Sequence, residues 1–297
     1  MSKLIVVQGA TASGKTDLAI QLALALKTEI ISADSRQFYK ELSIGTAKPS
    51  HSELAQVKHH LVDCSSIHEE ISAARFAKLA EPILNELLVN NGFAVLVGGS
   101  GMFVDALIHG LDEIPVNSEI RNQLSLIYRQ SGLEPLLKEL EELDPNYLKQ
   151  IDQKNPMRII RALEAIRESG RKLSDLHKNS RKKRDFEVLR FVINWPRDIL
   201  YNRINKRVDY MIELGLINEV VSLKNFRDLN ALNTVGYKEI FNFLDDEYSK
   251  EKAIELIKQH TRNYAKRQLT WLRRYNDVLY LNPLEEKSVL EQAIANI

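Results

Sequence analysis

The chain of 297 residues is 44% apolar and 27% charged, with a formal net charge of +1. That length suits one large domain or two unequal ones, and the composition, with no Pro/Gly-rich or low-complexity tract, excludes a disordered class. No run approaches the ~20 apolar residues of a membrane span, and the apolar run after Met1 is too short for a secretory signal, so a cytoplasmic protein with no membrane contact is expected.

Leu4 to Gln8 is a continuous apolar run that stops at a glycine, and Leu18, Ala19, Leu22 and Leu26 repeat with helical spacing. Between them lies GATASGKT, Gly9 to Thr16, which satisfies G-x-x-x-x-G-K-[ST] in the strand-loop-helix setting that the pattern requires. The glycines permit a tight turn with inward N–H groups, and a helix N-terminus stands behind it. Gly9, Ala10, Thr11, Ala12, Ser13 and Gly14 are therefore expected to cradle a diphosphate. Lys15 reaches its terminal oxygens and the Thr16 hydroxyl serves a Mg²⁺ ion.

Glu29 to Ala33 reads as a second buried strand and His60 to Asp63 as a short third. Asp34 follows the second strand, at the carboxyl edge where α/β proteins bind ligands, and is a candidate general base or metal ligand. The lone cysteine, Cys64, excludes an internal disulfide, and its flank HLVDC predicts a buried thiol. Ala74 to Leu88 reads as a helix and Phe93 to Val97 as a strand. That strand ends in GGSGMF without the aspartate that many nucleotide hydrolases place there, which weakens an ATPase reading.

After Pro115 the periodicity is almost purely helical until Val188 to Ile193 returns to strand character. Amphipathic helices follow to Tyr275, then a strand over Val278 to Leu281 and a helical tail. The expected fold is α/β, a P-loop NTPase-like parallel sheet core formed by 1–116 and 187–297 with an all-helical insertion at 117–186. Two segments are basic. Arg171 to Arg184 carries Asp175 as its single acid, and Ile257 to Tyr275 has six Lys/Arg and no acid. Either can bind a polyanion.

The motifs in series, GATASGKT, DSRQ at 34–37, GTAKP at 45–49, HHLVD at 59–63, GGSGMF at 98–103, NPMRIIRALE at 155–164, TVGYKE at 234–239 and KRQLTWLRR at 266–274, resemble those of the tRNA dimethylallyltransferases in order and over the whole length. Ala10 stands where that family usually has proline, Ser100 where it has threonine, Phe103 where tyrosine is common, and Met157 where a polar residue is usual. The resemblance implies transfer of a dimethylallyl group from dimethylallyl diphosphate to N6 of the adenosine 3′-adjacent to the anticodon, with Mg²⁺ and release of pyrophosphate.

On that resemblance Lys15, Thr16 and the loop amides hold the leaving diphosphate, Arg203 and Arg207 neutralise it, and Asp34 takes the N6 proton. Ser35, Arg36, Gln37 and Ser100 line the pocket for the extruded base, with Asp105 a weaker candidate. Arg158, Arg161 and the run Arg181, Lys182, Lys183, Arg184 contact the anticodon stem-loop of the tRNA, and Arg262, Lys266 and Arg273 track its phosphates along one helix. A monomer is expected. The alternative is a P-loop small-molecule or nucleoside kinase, with ATP in the loop and Asp34 as base, which leaves both basic segments without a role.

Overall fold

The computed structural model describes all residues except 113 and 178–181. In chain order the elements are β1 (Lys3–Gln8), α1 (Lys15–Ala25), β2 (Ile30–Ser32), α2 (His51–Leu54), β3 (His59–His60), α3 (Ala73–Asn91), β4 (Phe93–Val97) and α4 (Gly101–His109). Then come α5 (Ser118–Ser131), α6 (Glu134–Leu143), α7 (Pro145–Leu148), α8 (Pro156–Ser169) and α9 (Leu173–Leu176). The chain ends with β5 (Glu187–Ile193), α10 (Arg197–Glu213), α11 (Leu216–Ser222), α12 (Tyr237–Leu244), α13 (Lys250–Leu272), β6 (Val278–Leu281) and α14 (Val289–Ile294). No helix among the described residues is long and apolar enough to cross a membrane.

The six strands form one parallel sheet in the order β3-β2-β4-β1-β5-β6. β1 and β4 read as unbroken apolar runs because helices cover both faces. On one face Leu4, Val6 and Leu96 pack with α3 and α4. On the other Ile5, Val7 and Val95 pack with α1 and α14. Parallel pairing brings the segments after β1, β2 and β4 to the same edge, so Gly9, Asp34 and Gly98 converge though far apart in sequence.

Two expectations fail locally. The third strand spans His59–His60, because Leu61 and Asp63 take positive φ (63° and 52°) and break the extended run. The same turn leaves Cys64 exposed, not buried as its apolar flank suggested.

The chain divides into two units, 1–108 with 183–297, and 109–182. The second is all helical and includes α5 to α9, where the sequence reading set 117–186. Its start is earlier because Arg161 donates to the Ile114 and Pro115 carbonyls, at 3.0 and 2.7 Å, and binds the incoming strand of chain into the unit. Its ends meet where the Lys182 amide donates to the His109 carbonyl at 2.8 Å. Leu124, Leu136, Leu140, Ile159 and Leu163 make its core. Within it the fully buried Glu164 accepts Arg121 Nε and Nη2 at 3.0 and 3.1 Å, and Arg161 lies at 3.1 Å from the same carboxylate.

Candidate active site

Residues Gly9 to Gly14 turn between β1 and α1, with Gly14 in the left-handed region (φ 96°) as the residue before the first helical turn. Lys15 Nζ donates to the Ala10 carbonyl at 2.7 Å and thereby folds across the loop. Burial, then the neighbouring charge of Arg207, brings the Lys15 ammonium down to about 8 against the opposing pull of Asp34. Those interactions put Lys15, Asp34 and Arg207 in one electrostatic neighbourhood. Thr16 sits in the first turn of α1, partly buried, where its hydroxyl shares the helix end with the loop amides.

Both arginines expected from α10 are at the loop, with different attachments. Arg203 Nε donates to the Ala12 carbonyl at 2.8 Å while its guanidinium lies 4.6 Å over the Trp195 ring, and Trp195 Nε1 donates to the Ser13 carbonyl at 2.9 Å. Arg207, one turn on, lines a cavity of about 670 Å³ with Thr11 and Asp34. Its own burial holds it below the ordinary guanidinium range against the attraction of Asp34 and Glu53.

Asp34 accepts the backbone amides of Arg36 and Gln37 at 2.9 and 3.3 Å, both on Oδ1. This is an Asx-type turn that fixes the carboxylate. Among the described residues Oδ2 has no hydrogen-bond partner, and the carboxylate lines the cavity with Ser35 and Arg36. Tyr264 of α13 stands opposite, its phenol pushed up to about 12 first by burial and then by the charge of Asp34.

Five expected RNA contacts have internal partners. Arg36 Nη2 donates to the Asn233 carbonyl at 3.3 Å while the residue lines the cavity. The Gln37 amide donates to the Ala47 and Thr46 carbonyls at 3.1 and 3.3 Å, so it holds the GTA segment at 45–47 and does not face a base. Arg184 donates to the Ile108 carbonyl at 3.0 Å and to Glu81 at 2.6 Å, with a further bond to the Leu107 carbonyl. Arg262 donates to Asn205 Oδ1 at 2.7 Å and ties α13 to α10. Arg161 is held inside the helical unit as described above. In the last four cases the side chain's hydrogen bonds are made to acceptors within the protein, part-buried in every instance, and these bonds fix its direction. Lys266, Arg273, Arg158, Lys182 and Lys183 are exposed, while Arg181 lies outside the described residues. Ser100 is partly buried and its carbonyl starts α4 by accepting the Phe103 and Val104 amides. Asp105 accepts the Tyr275 hydroxyl and is a framework residue.

Sequence reading missed the residues that join the two glycine loops. Gln268 of α13 accepts the Thr11 amide at 2.9 Å and donates to the Gly99 carbonyl at 3.0 Å. A Cβ on Gly99 would lie 2.2 Å from Gln268 Nε2, and one on Gly101 2.1 Å from Trp271 Nε1, so the GGSG run exists to let α13 approach. Glu219 was missed too. It gathers the Ser43, Ile44 and Gly45 amides at 3.1, 2.8 and 3.0 Å together with the Tyr237 hydroxyl at 2.6 Å, and so shapes the cavity wall. β5 adds Arg190, fully buried, which donates to the Gln8 side chain and lies 3.9 Å over the Tyr275 ring.

Comparisons with known proteins identify relatives of this chain. A family model described as IPP transferase matches residues 37–275. A tRNA dimethylallyltransferase 1 of Bacteroides thetaiotaomicron is 44% identical over 98% of this chain and 95% of its own length. The tRNA dimethylallyltransferase of Christiangramia forsetii is 47% identical over 91% of this chain and 90% of its own. The crystal structure of a tRNA isopentenylpyrophosphate transferase from Bacillus halodurans superposes with a TM-score of 0.70 at 36% identity, over 95% of this chain and 90% of that one. That of a eukaryotic dimethylallyltransferase acting on tRNA gives 0.79 at 25% identity, over 95% and 74%. These relatives lend no support to the kinase alternative. A family model matching residues 37–275 and relatives 44% and 47% identical over nearly the whole chain show that the chain belongs to the IPP transferase family.

Proposed function

We infer that the protein transfers a dimethylallyl group from dimethylallyl diphosphate to N6 of the adenosine 3′-adjacent to the anticodon of tRNA, with release of pyrophosphate. The observation that carries the reading is the shared cavity. The phosphate loop reaches it through Thr11, and Asp34 and Arg207 open into it side by side.

The loop amides, Lys15 and Arg207 bind the diphosphate. As the allylic C–O bond breaks, positive charge grows on the prenyl carbon and negative charge on the leaving group, where these fixed donors and cations stabilise it. The N6 nitrogen forms the new C–N bond. Asp34 is anchored through Oδ1, so Oδ2 is available to orient the amine and take its proton. Arg203 keeps the loop in shape through the Ala12 carbonyl, and the exposed Lys266 and Arg273 supply phosphate contacts for the RNA.

A Mg²⁺ ion fits these residues. Among the described residues no three His, Cys, Asp or Glu side chains converge to make an all-protein cage. Mg²⁺ retains several waters and binds largely through substrate phosphates, so the Thr16 hydroxyl beside the diphosphate site is a sufficient protein ligand. When bound, the ion supplies further charge neutralisation of the leaving group. Incubation of the protein with unmodified tRNA, Mg²⁺ and dimethylallyl diphosphate tests the reading. Stoichiometric pyrophosphate release is expected, and release of ADP from ATP in its place would overturn it.

A further inference from the structure

α13 presents His260, Tyr264 and Arg267 to the cavity on one face, at i, i+4 and i+7, and Gln268 one residue on reaches the phosphate loop. The helix rise makes this face a ruler of about 12 Å from Gln268 to His260. Its inner end meets the diphosphate loop. Tyr264 feels the Asp34 carboxylate, and His260 stands about 6 Å farther out, one helical turn beyond the reacting centre.

His260 does not hang free at that outer end. Its Nδ1 lies 2.5 Å from Glu239 Oε1, and Glu239 is buried (5% exposed) while its other oxygen accepts the Gly236 amide at 2.7 Å. An ionised carboxylate is an acceptor only, so the proton of a neutral imidazole sits on Nδ1 and Nε2 is left with its lone pair. The couple thus offers a fixed hydrogen-bond acceptor in a wall where Lys238, Arg267 and Asn242 supply donors.

Building on the assignment of RNA as substrate, we propose that the His260–Glu239 couple is a specificity post: His260 Nε2 accepts a hydrogen bond from a donor on the RNA flanking the target adenosine. RNA offers such a post three kinds of donor, the exocyclic amine of a flanking base, the imino N–H of a flanking guanine or uracil, and a ribose 2′-hydroxyl.

Steady-state kinetics on an anticodon stem-loop RNA test it. His260→Ala is expected to raise KM for the RNA about 3- to 10-fold, the worth of one neutral hydrogen bond, with kcat and KM for dimethylallyl diphosphate within twofold of the parent. His260→Gln, which returns an amide oxygen near the Nε2 position, recovers most of the loss. Glu239→Gln still accepts the Gly236 amide but donates to Nδ1, so it flips the imidazole and turns Nε2 into a donor. It is expected to reproduce the KM defect with an unchanged melting temperature. RNAs lacking one flanking amine, one imino N–H or one 2′-hydroxyl at a time identify the partner, since the His260→Ala penalty vanishes on the RNA that lacks it. An unchanged KM in His260→Ala, or a penalty that persists on every such RNA, overturns the proposal. The parent's activity on the intact stem-loop separates these results from failure of the prenyl-transfer reading itself.

Discussion

Lys15 loses its proton at a pH where most lysines keep theirs, and diphosphate binding should restore it. In the free protein burial and Arg207 hold the ammonium at about 8, and the anionic ligand replaces the missing solvation and outweighs Arg207. A lysine at about 8 in the free state and near its ordinary value when bound takes up about 0.5 proton at pH 8, about 0.1 at pH 7 and about 0.9 at pH 9. The sign follows from the direction of the shift. The proton is lost as pH rises through about 8, so binding weakens above that pH, by up to about tenfold per unit from this group. Titration calorimetry of inorganic pyrophosphate with Mg²⁺, in buffers of different ionisation enthalpy, counts the protons. Lys15→Arg keeps a cation that does not titrate in this range, so subtracting its count removes the ligand's own protons. Equal counts for parent and variant at pH 8 would refute the account of Lys15.

Asp34→Asn retains an oxygen for the Arg36 and Gln37 amides and loses the base. Turnover should fall about 10²- to 10⁴-fold with RNA affinity nearly unchanged, and unaltered turnover would remove Asp34 from proton transfer. Gln268→Leu strands the Thr11 amide and the Gly99 carbonyl. It should weaken pyrophosphate binding by about 1–3 kcal/mol in the same calorimetry, against no change if the two loops hold themselves. Glu164 is held below its ordinary value: burial alone would raise it, but bonds from Arg121, the Asn117 amide and Arg161 outweigh burial. Its stabilising contribution is therefore present above the unfolded carboxyl range and lost as pH falls through the folded one. Urea unfolding should show Glu164→Gln weaker than the parent by about 1–2 kcal/mol at pH 7, with the gap closing toward pH 4.

The order of strands and helices was legible because buried parallel strands and amphipathic helices differ in period, and the phosphate loop because its pattern is local. Asp34 was legible for the same reason, as a carboxylate directly after a buried strand. The contacts that shape the site were not, because they join residues far apart. Gln268 meets Gly99 across 169 positions and Glu219 meets Ile44 across 175. Gln37, Arg184 and Arg262 carried the right chemistry for RNA, and only the folded chain shows the carbonyls and amide that engage them. The tight turn at Leu61 and Asp63 was hidden by side chains that suit a strand.

The central claim is that one cavity joins a prenyl diphosphate site to an adenine-activating carboxylate. Mass spectrometry of nucleosides from unmodified tRNA, digested after incubation with the protein, Mg²⁺ and dimethylallyl diphosphate, tests it most directly. The account predicts N6-dimethylallyladenosine next to the anticodon, formed at least about a hundredfold more slowly when Asp34→Asn replaces the parent. Unchanged adenosine with the parent protein, or phosphorylated nucleoside when ATP is supplied, would contradict it.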